Sequence, residues 1–361
     1  MMTTLFFALG IVALIAGAEA LVRGASKLAL SFGISPLVVG LTIVAFGTSS
    51  PELAVSVQSA WNGQTDMAVA NVVGSNILNV LLILGLSALI TPLLVDRQLI
   101  RQEVPIMIGV TLLFTVLTLD GGISRGEGML FVALLIVYTA FLIVQSRRQS
   151  REQQDDYAPG GDSEQSTWDA KLPAQLALMA GGLVLLVLGS NLMVDAAIVF
   201  ARHVGISEAV IGLTVVAAGT SLPEIAASIT AALRGQRDIA VGNVVGSNIF
   251  NILCALGVSA IFAPTELLLA PSMLSFDIPV MAVVAIACLP IFMTGNLIAR
   301  WEGALFFAYY VAYTLYLVLA ASEHDALGDY RFAMGTIALP LTAITLALIT
   351  FRHLRRPRAL P

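Results

Sequence analysis

Residues 40–88 read GLTIVAFGTSSPELAVSVQSAWNGQTDMAVANVVGSNILNVLLILGLSA, and residues 212–260 read GLTVVAAGTSLPEIAASITAALRGQRDIAVGNVVGSNIFNILCALGVSA. The two align without a gap at a constant offset of 172 and are identical at 31 of 49 positions. Each sets one carboxylate, Glu52 or Glu224, in a stretch that otherwise reads as membrane interior. A charge in hydrocarbon is costly and is tolerated mainly where it lines a path for ions or substrate. The same costly feature present twice points to a transport site.

Composition agrees with that setting. The 361 residues are 58% hydrophobic and only 11% charged, with a mean hydropathy of +0.92. Soluble domains carry about 25% charged residues, so a water-facing globule is excluded. A spanning helix needs roughly 20 mainly apolar residues. Apolar spans lie near 4–30, 36–60, 67–91, 104–119, 128–146, 173–200, 208–232, 239–263, 274–294, 302–321 and 331–351. These long runs predict an all-α polytopic membrane protein rather than a barrel of short alternating strands.

Lys and Arg set the expected orientation. With the N-terminus outside and eleven crossings, all of the 18 Lys and Arg except Arg125, Arg202 and Arg331 fall at inside ends or loops. An even number of crossings spoils that separation. The linker at 147–171 and the C-terminus are then cytoplasmic, in a multi-pass protein of the cell (inner) membrane. The opening MMTTLFFALGIVALIAGAEA lacks a basic n-region and is read as a retained first helix. Cys254 and Cys288 lie in apolar spans and read as small buried hydrophobes.

The stretch 147–171, RRQSREQQDDYAPGGDSEQSTWDAK, has mixed charge and no apolar periodicity, and reads as a flexible linker. It separates a first five-helix repeat, 1–146, from a second, 172–321. The duplication extends past the motifs: Arg125, Glu127, Gly128, Leu130, Phe131, Ala133 and Tyr138 recur as Arg300, Glu302, Gly303, Leu305, Phe306, Ala308 and Tyr313, now at offset 175. Five is odd, so equivalent helices cross in opposite directions. That is an inverted-topology repeat, which places a site at mid-membrane where the repeats meet. The segment 330–361 lies outside the duplication and is expected to form an accessory eleventh helix with a basic cytoplasmic tail.

Two motifs carry the chemistry in each half: G-T-S-x-P-E (47–52 and 219–224) and G-S-N-I-x-N (74–79 and 246–251). Pro51 offers no N–H to the Gly47 carbonyl and disfavours helical geometry at Ser50. The helix is therefore expected to break near 46–50, with Pro223 repeating the arrangement. Broken backbone survives in a membrane only where protein or a wet cavity surrounds it, and freed carbonyls are hard oxygen ligands. Thr48, Glu52 and Ser56 share one helix face by their spacing of four, as do Asn71, Ser75 and Asn79, and Asn243, Ser247 and Asn251. Facing stripes of this kind make an oxygen cage, and six to eight oxygens at about 2.3–2.6 Å suit Ca2+. The motifs hold no His or Cys, which argues against zinc, copper or iron. Ser, Thr and Asn also serve as interhelical hydrogen-bond partners and Gly as a close-packing residue. For Asn71, Asn76, Asn243, Asn248, Gly74 and Gly246 both roles stand open.

Other acids read differently. Glu19 and Arg23 are spaced to pair on the first helix, Asp195 is a candidate for an access path, and Glu127 and Glu302 sit at helix starts, where the dipole favours them. Trp61, Trp168 and Trp301 lie near span ends as interface anchors.

With both motifs in both halves, the chain resembles the calcium/cation antiporter superfamily, most closely its prokaryotic sodium/calcium exchanger branch, over residues 1 to about 320. The resemblance implies a ten-helix exchanger core, to which the eleventh helix is additional, and a central site for Na+ and Ca2+. The implied ligands are Ala45, Thr48, Ser49, Glu52, Ser75 and Asn79, with Ala217, Thr220, Ser221, Glu224, Ser247 and Asn251. The alanines and threonines contribute through backbone carbonyls in this scheme. Some relatives carry Asp where this chain has Asn251; Asn at both 79 and 251 leaves two carboxylates and weakens any case for K+ co-transport. Proton-coupled calcium exchangers of the superfamily carry a Glu-containing second motif, absent here. The expected activity is secondary antiport of Ca2+ against Na+ by alternating access. A proton-coupled exchanger and a cation channel are the rivals. An intramembrane hydrolase built on Ser49 or Ser221 lacks a base at depth, because His203, His324 and His353 all lie at span ends. The implied partners are inorganic cations and the lipid bilayer. No enzyme activity, cofactor, nucleic acid or obligate protein partner is indicated, and a monomer suffices.

Overall fold

The computed structural model describes residues 2–156, 169, 171–204 and 217–355. Its spans are helices, as hydrocarbon demands of any backbone that cannot find water. Among the described residues nine helices are long and apolar enough to cross a membrane, and the bent pair Pro36–Thr48 and Ser50–Trp61 forms a tenth span. Of the expected 208–232 span, the described parts are Ala217–Gly219 and Leu222–Leu233; residues 205–216 lie outside the described set. Large apolar side chains such as Val12, Ile136, Val137, Val283 and Leu341 are exposed on the outer faces, which suits a lipid-facing surface.

Four two-residue strands reveal the internal symmetry. β1 (Leu93–Leu94) pairs antiparallel with β4 (Leu297–Ile298), and β2 (Gly122–Ile123) with β3 (Leu267–Leu268). β1 and β3 are equivalent in the two halves, as are β2 and β4, so each half lends one strand to the other. Arg125 Nη2 donates to the Ala263 carbonyl (3.0 Å), and its counterpart Arg300 to the Ile90 carbonyl (3.4 Å). Reciprocal exchange of this kind is what a two-fold relation between inverted repeats produces. The offset between halves rises from 172 at the motifs to 174 between β1 and β3 and 175 between β2 and β4, which locates the added residues on either side of β3.

The first helix, Met2–Phe32, packs along Leu172–His203, the equivalent helix of the second half. Glycines set the spacing. A Cβ on Gly10 would lie 2.8 Å from the Gly189 carbonyl oxygen, and one on Gly17 2.8 Å from that of Gly182; the reverse distances are 2.8 and 2.7 Å. The two backbones therefore touch, as small residues allow in lipid. Ion pairs tie the first helix to the second half and to the segment preceding it. Glu19 meets Arg234 at 2.6 Å and Arg23 meets Asp169 at 2.7 Å, so the expected Glu19–Arg23 pairing gives way to contacts between elements.

The helix beginning at Arg125 continues to Asp156, ten residues into the stretch expected as linker. Its Arg, Gln and Glu are good helix formers, and extending an existing helix avoids the cost of nucleation. The rest of that stretch, apart from Asp169 and Lys171, lies outside the described residues, as do Trp168 and the tail 356–361. The C-terminal helix, Leu327–Ile349, buries none of its apolar window and touches the Arg300–Ala321 helix through Tyr309 and Thr342 (2.6 Å). Cys254 and Cys288 are buried free thiols. Trp61 and Trp301 are exposed at span ends.

Candidate functional site

The two helices carrying G-S-N-I-x-N, Thr65–Ile90 and Arg237–Phe262, are the most enclosed of the spans. Against them lie the two broken helices. The first turns at Ser49 (φ −80°, ψ 4°), with a 43° bend between Pro36–Thr48 and Ser50–Trp61. Ser221 (φ −89°, ψ 4°) repeats that turn before Leu222–Leu233. In the second half the Gly219 carbonyl, deprived of an amide by Pro223, accepts from Ser190 Oγ at 2.6 Å.

Ser49 and Ser221 stand at the N-cap, and Glu52 and Glu224 three residues later, which is the spacing of a capping box. Neither box closes on its own helix. Instead the partners are exchanged: Ser49 Oγ donates to Glu224 Oε1 at 3.0 Å, and Ser221 Oγ donates to Glu52 Oε1 at 2.9 Å. The two motifs thereby meet, and both carboxylates sit in the first turn of a helix, where its dipole favours negative charge. Ser75 joins them, its Oγ 3.5 Å from Glu52 Oε1 and 3.2 Å from Ser221 Oγ. Glu52 and Glu224 are 0% exposed; neither faces lipid.

The remaining motif residues divide in two. Thr48 and Thr220 turn their hydroxyls to Asn243 Oδ1 (3.2 Å) and Asn71 Oδ1 (3.5 Å). Asn71 Nδ2 donates to Ser56 Oγ and to the Glu52 carbonyl, and Asn243 Nδ2 to Ser228 Oγ. Asn71, Asn243 and Ser56 thus brace the helices against one another, although their spacing matches that of Ser75, Asn79, Ser247 and Asn251. The Ala45 carbonyl accepts from the Ser49 N–H (3.0 Å) and lies 3.4 Å from Thr48 Oγ1. Ala217 opens the short helix before the second turn.

Asn79 and Asn251 belong to the other group. Each begins a wide π-helical turn, Asn79–Leu84 and Asn251–Leu256, a feature common at functional sites. Five buried side-chain oxygens in this cluster have no hydrogen-bond partner among the described residues: Glu52 Oε2, Glu224 Oε2, Asn79 Oδ1, Asn251 Oδ1 and Ser247 Oγ. Buried polar atoms in proteins are usually paired; outside this cluster Ser26, Ser87 and Ser259 Oγ and Arg237 Nε share the condition, and none of them lies in either motif. The five in the cluster are all hard oxygens, two carry formal charge, and every one comes from a residue that the motifs single out.

Asp195 is exposed on its helix and stands apart from this cluster. Glu127 and Glu302 cap helix starts, accepting from the Ser124 N–H (2.7 Å) and the Ala299 N–H (2.8 Å). Motif spacing gives no sign of a second symmetric pair, Glu103 with Tyr138 Oη (2.9 Å) and Asp277 with Tyr313 Oη (2.8 Å). The signal that exposes it is recurrence: the acids lie 174 apart and the tyrosines 175 apart. Each pair ties a helix that follows β1 or β3 to the helix that follows β2 or β4.

Comparison with known proteins gives a consistent result. A family model described as sodium/calcium exchanger protein matches residues 2–144 and 174–319. The sodium/calcium exchanger MaX1 of Methanosarcina acetivorans is 36% identical over 343 residues, covering 87% of this chain and 97% of that protein. The inner membrane protein YrbG of Escherichia coli is 38% identical over 286 residues, covering 79% and 87% respectively. The solved structure of the sodium-calcium exchanger NCX_Mj soaked with 2.5 mM Na+ and 0.1 mM Ca2+ matches with a TM-score of 0.74 at 30% identity, over 89% of this chain and 98% of that one.

Proposed function

The chain belongs to the sodium/calcium exchanger family, and on that premise we propose that it exchanges Ca2+ for Na+ across the membrane by alternating access at the Glu52–Glu224 centre. The observation that carries this reading is the set of five orphaned oxygens on Glu52, Glu224, Asn79, Asn251 and Ser247. An oxygen-only donor set with two carboxylates suits a hard cation. Ser49, Ser75 and Ser221 border the same space through their hydroxyls. The backbone of Ala45, Thr48, Ala217 and Thr220 lies at the two breaks, and the threonine hydroxyls also reach Asn243 and Asn71.

Two carboxylates balance one Ca2+, so Ca2+ and a full complement of Na+ compete for the same oxygens. The loaded, charge-compensated protein switches sides, while the empty dianionic site resists crossing the apolar barrier. That asymmetry makes the process exchange rather than leak. The glycine-packed pair of the first helix and 172–203 forms the natural sliding element, since two backbones in contact present few interlocking side chains. In the cell the N-terminus is outside and the linker and C-terminus cytoplasmic, from the Lys and Arg distribution. One copy supplies every atom of the site.

The test is 45Ca2+ uptake by proteoliposomes of the purified chain. Uptake is expected with an outward Na+ gradient and not with a pH gradient in Na+-free buffer. Uptake driven by the pH gradient alone replaces Na+ with H+ as counter-ion. Conductance without counter-transport replaces exchange with a channel.

A further inference from the structure

The orphaned oxygens of Asn79 and Asn251 raise a question that the carboxylates do not. A carboxylate presents oxygen whichever way it turns, but a carboxamide offers oxygen on one side and two N–H donors on the other. An amide turned over would aim donors at the cation, so some structural element has to fix its rotation. The neighbouring motif asparagines, Asn76 and Asn248, stand in position to do so. Both are buried, at 2% and 3% exposure.

The order of contacts is directional. Asn76 Nδ2 lies 3.3 Å from the backbone carbonyl of Asn248, which only accepts. The atom of Asn76 facing that carbonyl is therefore nitrogen, and Oδ1 faces the other way, toward Asn251. Asn251 meets it with Nδ2 at 3.1 Å, which leaves its own Oδ1 as the orphaned atom. The second relay runs the opposite way between the halves. Asn248 Nδ2 faces Met107 Sδ at 3.5 Å, and a thioether carries no hydrogen to donate. Asn248 Oδ1 is thus turned to Asn79 Nδ2 at 3.0 Å, and Asn79 Oδ1 is left free. In each relay the terminal acceptor lacks a proton, so its direction is determined by chemistry and not by a choice of amide assignment.

We propose that Asn76 and Asn248 are positioning residues, each holding a ligand of the opposite half, Asn251 and Asn79, with its carboxamide oxygen toward the cation. The inference rests on the cation-site reading above and adds to it the device that pre-orients two neutral ligands. It also explains why the third and sixth residues of G-S-N-I-x-N recur in both halves: the inner asparagine of one copy serves the outer asparagine of the other.

The experiment is a double-mutant cycle read by equilibrium 45Ca2+ binding to the purified full-length chain. Asn76→Leu keeps the approximate volume and removes the acceptor that orients Asn251. In the native background Ca2+ binding is expected to weaken about tenfold or more. In an Asn251→Asp background orientation no longer matters, and the same change is expected to cost less than about twofold. Asn248→Leu with Asn79→Asp forms the independent second cycle, which decides the matter where the first variant does not yield folded protein. Equal losses in both backgrounds mean simple packing and overturn the proposal, as does full affinity in the single variants. Failure of the unaltered chain to bind Ca2+ overturns the calcium reading itself and this inference with it, an outcome distinct from additive cycles in a chain that binds.

Discussion

Replacing Glu52 with Gln removes one of the two charges at the centre and little else. The amide oxygen still accepts from Ser221 Oγ, now 2.9 Å from Glu52 Oε1, and the side-chain volume is nearly unchanged. A carboxylate about 4 Å from a divalent cation contributes roughly 8 kcal/mol at an effective dielectric of 20 and roughly 2 kcal/mol in bulk water. Glu52 is 0% exposed, so the water value is a floor. Even that floor weakens Ca2+ binding about 30-fold, and the upper figure removes it from the range of a binding assay. For Na+ the same arithmetic is halved, roughly 1 to 4 kcal/mol. Charge removal thus acts on the two ions unequally, and the Ca2+/Na+ affinity ratio is expected to fall at least ~5-fold. The assay is equilibrium 45Ca2+ binding with Na+ competition, for Glu52→Gln and for Glu224→Gln, whose second oxygen is likewise orphaned. Ca2+ binding within about threefold of the unaltered chain in both variants refutes the placement of the ion between these carboxylates, as do equal losses for the two ions.

Two further outcomes follow from the scaffold. Gly17→Leu places a side chain where a Cβ would lie 2.8 Å from the Gly182 carbonyl oxygen and from the Leu186 amide nitrogen, so overpacking of about 1–3 kcal/mol is expected. Thermal unfolding in detergent checks it, with Gly181→Leu as a neutral control because nothing lies within 4 Å of that Cβ. For orientation, single cysteines at Ser163 in the linker and at Asp325, exposed between the last two helices, are introduced with Cys254 and Cys288 replaced. A membrane-impermeant maleimide is expected to label position 163 only from the cytoplasmic side and position 325 only from outside; the reverse pattern overturns the N-terminus-outside topology.

Much of the architecture was legible because apolar length, proline position and duplication are local or self-referential signals. Pro51 and Pro223 announce the two breaks without knowledge of any neighbour, since a missing N–H is a property of the residue itself. The continuation of the 125–156 helix past Ser146 was not legible from polarity. Arg, Gln and Glu suit a linker and a solvated helix equally, and the preceding helix decides between them. The stripes also left open which of their members are committed to neighbouring helices. Spacing puts Asn71 and Ser56 on the same faces as Ser75 and Glu52, but a shared face does not say which neighbour approaches it. In the fold Asn71 is occupied by Ser56, Thr220 and the Glu52 carbonyl.

Sequence alone determined that two acidic, proline-broken segments recur in opposite orientations inside a membrane, because charge and backbone satisfaction in hydrocarbon leave so few alternatives. Only the tertiary structure decided who partners whom. Nothing in the spacing of Ser49 and Glu52, or of Ser221 and Glu224, says that these side chains pair between halves, Ser49 to Glu224 and Ser221 to Glu52. The fold also decided which oxygens remain uncommitted at the centre. Donor and acceptor types are written in the chain, but direction and occupancy belong to pairs of groups, and a pair exists only once the two halves have come together.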